Sequence, residues 1–492
     1  MAILEGTKVR IPGRSRRTRG APVNRIRLRD VLDSTGAELV RGDPELELDG
    51  VSTDTRTISA GELFLALSGP SFDGNLFADA AARGGAAALM LRRAEGEELV
   101  NPLPGPAGPA ILAHPDPRRA LADLGAWYRS TLSAPVVGIT GSCGKTTTKN
   151  VLADLVAPIH PVVASPSSFN NDIGVPHTLF LADRETKLLA VEMGTNHPGE
   201  IAMLCRVARP TGGIITNVGA SHLEGLGSLE GVAREKGDLA ASLPRDGFLV
   251  LNADCRFTPE IRGRSAARVL TFSIEGEDGH RGDLDACELF FHSGGTTFRL
   301  RGLIEGEVTS PLLGTHNVQN LLAALCATIG LGLSTDEVLA GVPNLSGGRQ
   351  RMERIDLPGL TIFDDSYNAN PDSLRAAVRV LSGLHGYERR VLVVGDMLEL
   401  GDLAAELHHQ IGREAAAAGI DQLVLVGELA RAAAAGALEG GLAPEQVHHV
   451  ATTPEAFPTV DALLSEGDVV LVKGSRRMHL EDLVQSLVEA RK

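Results

Sequence analysis

One stretch constrains the fold more than any other. The apolar run Pro135–Ile139 leads into Gly138-Ile139-Thr140-Gly141-Ser142-Cys143-Gly144-Lys145-Thr146-Thr147. A short apolar run bounded by glycines reads as a buried strand, and the Lys-Thr-Thr after it opens a helix near Thr146. Strand, glycine loop and helix in that order belong to a parallel α/β sheet. Backbone N–H groups in such a loop point inward and cradle phosphate oxygens. Lys145 supplies a point charge for terminal phosphates, and the Thr146 hydroxyl can reach Mg²⁺. The Gly-x-x-Gly-Lys-Thr spacing is shorter than the common Gly-x4-Gly-Lys-[Ser/Thr]. It predicts a nucleoside triphosphate and leaves the reaction open. A chance glycine turn would not account for Lys-Thr-Thr following a strand.

At 492 residues the chain has room for about three domains. Hydrophobic residues make up 43% and aromatics only 3%, so the cores are built from Leu, Val and Ala. No apolar run approaches the ~20 residues of a membrane span, which predicts no membrane insertion. A net charge of −15 argues against nucleic acid as the main partner. An anionic substrate then needs locally positive loops. The five cysteines Cys143, Cys205, Cys255, Cys287 and Cys326 are scattered, odd in number and lack CxxC spacing. That pattern predicts reduced thiols and a cytoplasmic protein, with neither a disulfide framework nor a zinc site. Cys143 reads as a small residue that fits the phosphate-loop turn.

Arg10, Arg14, Arg16, Arg17, Arg19, Arg25, Arg27 and Arg29 make the start of the chain basic. It lacks the apolar stretch of an export signal, and residues 1–23 read as a disordered, solvated arm. Among the 47 basic residues, seven are lysines (8, 145, 149, 187, 236, 473 and 492) and the other forty are arginines. A retained lysine is therefore a candidate for chemistry that arginine cannot do. Lys145 fits already; Lys236 and Lys473 become candidates on this ground.

The pattern divides into three α/β units over 24–132, 133–343 and 344–492. In the first, strands are expected at 63–67 and 86–91, with helices at 78–83 and 118–132. In the second, strands at 136–139, 188–192, 213–216 and 248–251 alternate with helices. A β-rich insertion spans about 268–304, and an apolar helix covers 317–329. Such alternation implies a mostly parallel sheet covered on both faces. In the third, strands at 361–364, 391–395, 422–426 and 469–473 predict a four-stranded Rossmann-like sheet.

Glu192 ends one strand and His222 follows another, in Ala220-Ser221-His222-Leu223-Glu224. Carboxyl ends of parallel strands beside a phosphate loop are where metal ligands gather. With Thr146 they form a coherent Mg²⁺ set. Asp364-Asp365-Ser366-Tyr367-Asn368-Ala369-Asn370-Pro371 is too polar for a strand interior, and its proline begins a helix. The alternative to a functional role for that run is a loop that only caps the helix. Gly395-Asp396-Met397-Leu398-Glu399-Leu400-Gly401 occupies the corresponding place after the next strand.

These motifs together resemble the Mur ligase family over about residues 25–490. The family's central-domain motifs stand here as Thr140–Thr147, Glu192-Met193-Gly194-Thr195-Asn196-His197, Ser221–Glu224 and His316-Asn317-Val318-Gln319-Asn320. Asn170-Asn171-Asp172-Ile173-Gly174-Val175-Pro176, Asp365–Pro371 and Gly395–Gly401 are similar to the branch that adds D-alanyl-D-alanine to UDP-N-acetylmuramoyl-tripeptide. The Asp-Asn-Pro-Arg of the sister branch adding diaminopimelate or lysine is missing from the sequence. One departure is Phe72-Asp73-Gly74-Asn75, where the related pattern often has His at the place of Asn75.

The resemblance implies roles residue by residue. Ser52, Thr53, Asp54, Thr55 and Arg56 would hold the uridine diphosphate of the substrate. Gly141, Ser142, Cys143, Gly144, Lys145, Thr146 and Thr147 would hold ATP phosphates. Thr146, Glu192 and His222 would place Mg²⁺, joined by Lys236 if it is carbamylated. Lys145, Glu192, His222 and Lys236 are thus the expected catalytic set. Asn317 and Asn320 would meet adenine; Arg351 and Asp365 would meet phosphate and ribose. Asn171, Asn368 and Asn370 are expected to bind substrate, and Lys473 with Ser475 to face the dipeptide or nucleotide. The implied protein is a monomer that activates a carboxylate as an acyl phosphate and passes it to an amine. Three other readings are a ligase adding a single amino acid (or a folate polyglutamate enzyme), a regulatory NTPase and an inactive binding module. The Asn-Asn-Asp-Ile-Gly-Val-Pro and Ser-Tyr-Asn-Ala-Asn-Pro markers disfavour the first, and the intact Lys145, Thr146, Glu192 and His222 the last.

Overall fold

The computed structural model describes residues 26–69, 72–93, 108–167, 169–274, 282–292 and 294–491. The arm at 1–23, Arg25 and most of the loop at 101–109 lie outside the described residues. Arg27 and Arg29, read as part of the basic start, belong to folded chain. Arg29 lies in the helix Leu28–Thr35, and both arginines pair with Glu45.

By contacts the chain forms two compact units. One holds residues up to Ala134 with Val163–Leu189 and Arg206–Arg209; the other holds the rest. The first contains a five-stranded sheet of β1 (Glu38–Arg41), β2 (Gly50–Ser52), β3 (Glu62–Leu65), β4 (Ala88–Arg92) and β5 (Ala110–His114), ordered β1-β5-β4-β3-β2. Strands β2 to β5 run parallel, and β1 pairs antiparallel at the edge. Phe64, Leu89, Leu91 and Ile111 pack on Ala78 and Ala81 of the helix Ala78–Arg83. Strand β5 was not expected from the sequence, because glycine and proline surround its apolar run.

Nine strands make the central sheet: β6 (Val136–Thr140), β7 (Val162–Ala164), β8 (Leu188–Glu192), β9 (Gly212–Ile215), β10 (Phe248–Asn252), β11 (Arg268–Ile274), β12 (Leu284–His292), β13 (Gly295–Gly302) and β14 (Gly306–Ser310). Their order is β7-β8-β6-β9-β10-β11-β12-β13-β14. From β6 through β9, β10, β11 and β12 each pairing is parallel. The stretch read as an inserted β region instead continues this sheet, as the antiparallel pairs β12–β13 and β13–β14. The helices that carry the site are α1 (Lys145–Val156), α2 (Leu229–Ser242) and α3 (Thr315–Gly330).

The last sheet has six strands, ordered β15 (Glu353–Leu357), β16 (Leu360–Asp365), β20 (Asp468–Lys473), β17 (Arg390–Gly395), β18 (Gln422–Val426) and β19 (Val447–Val450). The two strands beyond the expected four are its edges. Alternate residues of each strand point to opposite faces. Phe363, Leu392, Leu423 and Leu471 enter one core, and Ile362, Val391, Val424 and Val470 enter the other. Helix α4 (Pro371–Gly383) covers the first face, starting at the proline expected to start it. No helix among the described residues is long and apolar enough to cross a membrane.

Candidate active site

The glycine loop is fixed by what surrounds it. Gly141 has φ 151°, and Gly144 has φ 80° as the cap before α1. A Cβ on Gly141 would lie 1.9 Å from Thr216 Oγ1, and one on Gly144 would lie 2.2 Å from Asn320 Oδ1. Both positions thus demand glycine for φ and for space. The Ser142 N–H donates to Asn217 O (3.2 Å) and the Cys143 N–H to Asn217 Oδ1 (2.9 Å). This differs from the expected inward-pointing amides at these two residues: Asn217, after β9, already takes them. The opening of α1 remains, where the first N–H groups of a helix have no intrahelical partner. The Cys143 thiol lies against Asn370, with Asn370 Nδ2 3.1 Å from Sγ, so it does more than fill a turn.

Lys145 reaches back over the loop, and its Nζ donates to Gly141 O at 2.8 Å. Burial pushes its pKa down. Thr146 Oγ1 donates to Glu192 Oε2 at 2.8 Å and accepts from Arg351 Nη2 at 3.0 Å. Arg351 in turn stacks on Tyr367, 4.2 Å from the ring centroid, with Arg476 over the same ring at 5.6 Å. Glu192 also lies 3.9 Å from Lys149 Nζ, and both side chains are 2% exposed. Lys149 was counted among the rare lysines yet given no role. Its i+4 place after Lys145 on one helix face could have singled it out.

Lys236 is 1% exposed on α2. Burial first, then the positive charge of Lys145, brings its pKa down to about 7. The preceding Glu235, also overlooked in the sequence, accepts from the Gly199 N–H (2.7 Å), the Ile201 N–H (2.8 Å) and Thr195 Oγ1 (3.1 Å). It thereby clamps the loop after Glu192 onto the helix that carries Lys236. His222 stands in the left-handed region, and its Nδ1 lies 3.1 Å from Glu399 Oε2. The His222 contact is the first cause holding the Glu399 pKa down.

Asn317 and Asn320 occupy one face of α3, with Asn320 Nδ2 donating to Asn317 Oδ1 at 3.2 Å. Thr148 Oγ1 donates to Asn320 Oδ1 (3.2 Å), so Asn320 braces the phosphate loop. Asp365 and Lys473 are neighbours across β16 and β20, joined by a 2.6 Å ion pair, and Lys473 also donates to Asn368 O at 3.0 Å. Asn370 caps α4, accepting from the Ser373 N–H at 2.9 Å. Ser475 Oγ accepts from the Leu398 N–H at 2.9 Å.

The other unit holds the remaining expected residues. Asp54 accepts from the Arg56 backbone N–H and from Nε (2.9 Å each), and Arg56 Nη2 donates to its second oxygen at 2.7 Å. That bidentate contact holds the Asp54 carboxyl below its ordinary range. The Asp54 N–H donates to Ser52 Oγ at 3.2 Å, and Thr55 lies in the same turn. Thr53 Oγ1 lies 3.1 Å from His177 Nε2, on the helix Gly174–Phe180, whose first N–H donates to Asn171 Oδ1 at 2.8 Å. Two motifs separated in sequence thus meet, through a histidine the sequence did not single out. At the departure noted above, the Asn75 amide donates to Arg92 O and accepts from the Arg92 N–H, both at 2.9 Å.

Among the described residues no group of three His, Cys, Asp or Glu forms a metal cage. The Thr146 hydroxyl and Glu192 carboxylate instead suit Mg²⁺, which binds through one or two carboxylates together with substrate phosphates and water. On this donor chemistry the residues fit the ion.

Family models match three consecutive stretches: "Mur ligase family, catalytic domain" at 47–129, "Mur ligase middle domain" at 139–328 and "Mur ligase, glutamate ligase domain" at 350–476. The chain is 37% identical to UDP-N-acetylmuramoyl-tripeptide–D-alanyl-D-alanine ligase of Escherichia coli K12, over 94% of this chain and 98% of the relative. It is 35% identical to the Bacillus subtilis protein of the same name, covering 92% and 97%. A crystal structure of MurF from Acinetobacter baumannii superposes with a TM-score of 0.85 at 31% identity, covering 95% of this chain and 100% of that one. MurF from Thermotoga maritima, in complex with ADP, gives 0.77 at 25% identity, covering 90% and 98%. The chain belongs to the Mur ligase family.

Proposed function

We propose that this chain joins D-alanyl-D-alanine to the terminal carboxylate of UDP-N-acetylmuramoyl-tripeptide, at the expense of ATP, to make a pentapeptide precursor of peptidoglycan. One observation carries the reading above others. The likeness to relatives named for this activity runs through all three sheets, over 94% of the chain.

A carboxylate is a poor electrophile because its oxygen is a poor leaving group. In the proposed reaction a tripeptide carboxylate oxygen attacks the γ-phosphorus of ATP, the bond to the β,γ-bridging oxygen breaks, and ADP departs. The dipeptide amine then adds to the acyl phosphate carbonyl. The tetrahedral intermediate expels phosphate, and the nitrogen gives up a proton. The first step brings an anion to a polyanion, so charge neutralisation dominates. Lys145 and Arg351 supply it from the two sheets that share Thr146. Thr146, Glu192 and His222 would hold Mg²⁺, which when bound adds positive charge at the phosphates. Lys236, neutral for much of the time near pH 7, can add through its nitrogen to CO₂ and release a proton to solvent, leaving a carbamate that offers a further anionic oxygen. An arginine could not.

The remaining assignments follow the resemblance. Gly141–Thr147 take the phosphates, Asn317 and Asn320 the adenine, and Asp365 the ribose. Ser52–Arg56 take the uridine diphosphate. Asn171, Asn368 and Asn370 bind substrate, and Lys473 with Ser475 faces the dipeptide or nucleotide. We assign the domains to 24–132, 133–343 and 344–492, and the protein to the cytoplasm as a monomer. The test is product mass. ATP, Mg²⁺, UDP-N-acetylmuramoyl-tripeptide and D-alanyl-D-alanine should give a product heavier than the tripeptide by one dipeptide less water. No mass gain with either a lysine- or a diaminopimelate-containing tripeptide would refute the proposal.

A further inference from the structure

His222 and Glu399 belong to segments that leave two different sheets, and they meet at one close side-chain contact. His222 follows β9 of the central sheet, and Glu399 follows β17 of the last sheet. Their Nδ1 and Oε2 atoms are 3.1 Å apart. Both backbones lie in the left-handed region, with φ 52° and φ 63°. That region is uncommon for residues other than glycine, and unfavourable conformations of this kind persist where the surroundings enforce them. Stability gives little reason for the pair. The Glu399 side chain is 65% exposed, and ion pairs so exposed contribute little to folding. A bond that fixes one ring nitrogen of a histidine does have a second consequence, because it decides what the other nitrogen can do. In the neutral imidazole that carries its proton on Nδ1, toward the carboxylate, Nε2 keeps a bare lone pair.

We propose that Glu399 is the positioning residue for His222: it fixes the imidazole tautomer and orientation, so that Nε2 is presented as the metal-binding nitrogen. The proposal rests on the reading of His222 as a Mg²⁺ ligand and extends it to a residue of the other sheet. Glu399 acts through His222. The metal site is then complete only while the loop after β17 is seated against the loop after β9, which links metal affinity to the packing of the two sheets. Carboxylates behind metal-bound histidines act in this way elsewhere, and losing one typically costs 10–100-fold in metal affinity or activity.

The test reads metal binding directly. Mn²⁺ is titrated into the full-length protein with ADP, and bound ion is followed by its electron paramagnetic resonance signal. This readout needs no ligation, so failure of the proposed reaction and failure of this inference are separable. E399A should weaken the His222-dependent Mn²⁺ site by about 10–100-fold. E399Q, whose amide oxygen still accepts from Nδ1–H, should recover most of that loss. In an H222A background E399A should cost nothing further. Wild-type Mn²⁺ affinity in E399A would overturn the proposal. So would an E399Q as weak as E399A, or a further loss in H222A/E399A, since either would make Glu399 a ligand in its own right.

Discussion

The phosphate loop and the Ser52–Arg56 turn are both short, polar and followed by structure that holds substrate in the proposed reaction, yet they are built in opposite ways. In the phosphate loop the partners are remote. Thr146 meets Glu192 and Arg351, Gly144 abuts Asn320, and Cys143 meets Asn217 and Asn370. Its lysine, Lys145, is desolvated. In the Ser52–Arg56 turn most bonds run between residues two apart, and the Arg56 side chain is 63% exposed. Buried charge is strong because water does not screen it; exposed charge is weak because water does. The comparison predicts large effects at the first site and modest ones at the second.

The largest should come from Lys145→Ala and Glu192→Ala. In the proposed reaction each removes a group that neutralises or places charge at the phosphates, a loss of about 3–4 kcal/mol or more in the transition state. Turnover should vanish from steady-state assays while circular dichroism stays native. Near-normal rates in either variant would break the comparison at its strong end.

Gly144→Ala comes next. It places a methyl group against Asn320 Oδ1 at a residue with φ 80°. Thermal melting should show a loss of about 1–3 kcal/mol, and ATP should bind poorly. Adding Asn320→Ala should return only part of the stability, because the backbone strain stays. Full recovery would mean that the steric clash alone enforces glycine here.

A pH effect sharpens the account of Lys236. Its folded pKa, about 7, lies below the ordinary lysine value, so the folded state favours the neutral amine. As pH falls through 7 the amine takes a proton and can no longer form a carbamate. Removing CO₂ should therefore cut activity, added bicarbonate should restore it, and restoration should be weaker at pH 6 than at pH 8. Activity indifferent to CO₂ at both values would remove the carbamate from the mechanism. The unfolded chain binds the extra proton between pH 7 and the ordinary lysine pKa, so this group also makes stability rise with pH over that window.

The smallest effect belongs to Arg56→Ala. It should raise KM for the UDP-linked substrate several-fold, leave kcat nearly unchanged and shift the melting temperature little. The pairing with Arg56 lowers the Asp54 pKa, so its small stabilisation is present at neutral pH and fades as pH falls below the ordinary carboxylate value. A collapse in kcat at Arg56→Ala would show that exposure is a poor guide to function here.

The two loops also differ in how much of them the sequence disclosed. Strand, glycine loop and helix were legible at 135–147, because hydrophobic period and glycine placement are local signals. So were Gln422–Val426 and Leu188–Glu192, which are continuous apolar runs. The edge strands Val447–Val450 and Glu353–Leu357 were not, since Val-His-His-Val and Glu-Arg-Ile-Asp-Leu carry too few apolar residues to stand out. The family motifs pointed to Lys145, Glu192 and His222, but not to what holds them. Lys149, Glu235, Asn217 and Glu399 act through partners far along the chain, and no local pattern announces a contact across sheets. His177 escaped notice for the same reason, although Asn171 just before it had drawn attention.

The most direct test of the ligase assignment is the rate of ADP release with ATP, Mg²⁺ and UDP-N-acetylmuramoyl-tripeptide, measured with and without D-alanyl-D-alanine. The account predicts sustained release only when the dipeptide is present, with one ADP for each new amide bond. ADP release at the same rate without the dipeptide, and no amide formed, would contradict it and make the chain a nucleotide hydrolase.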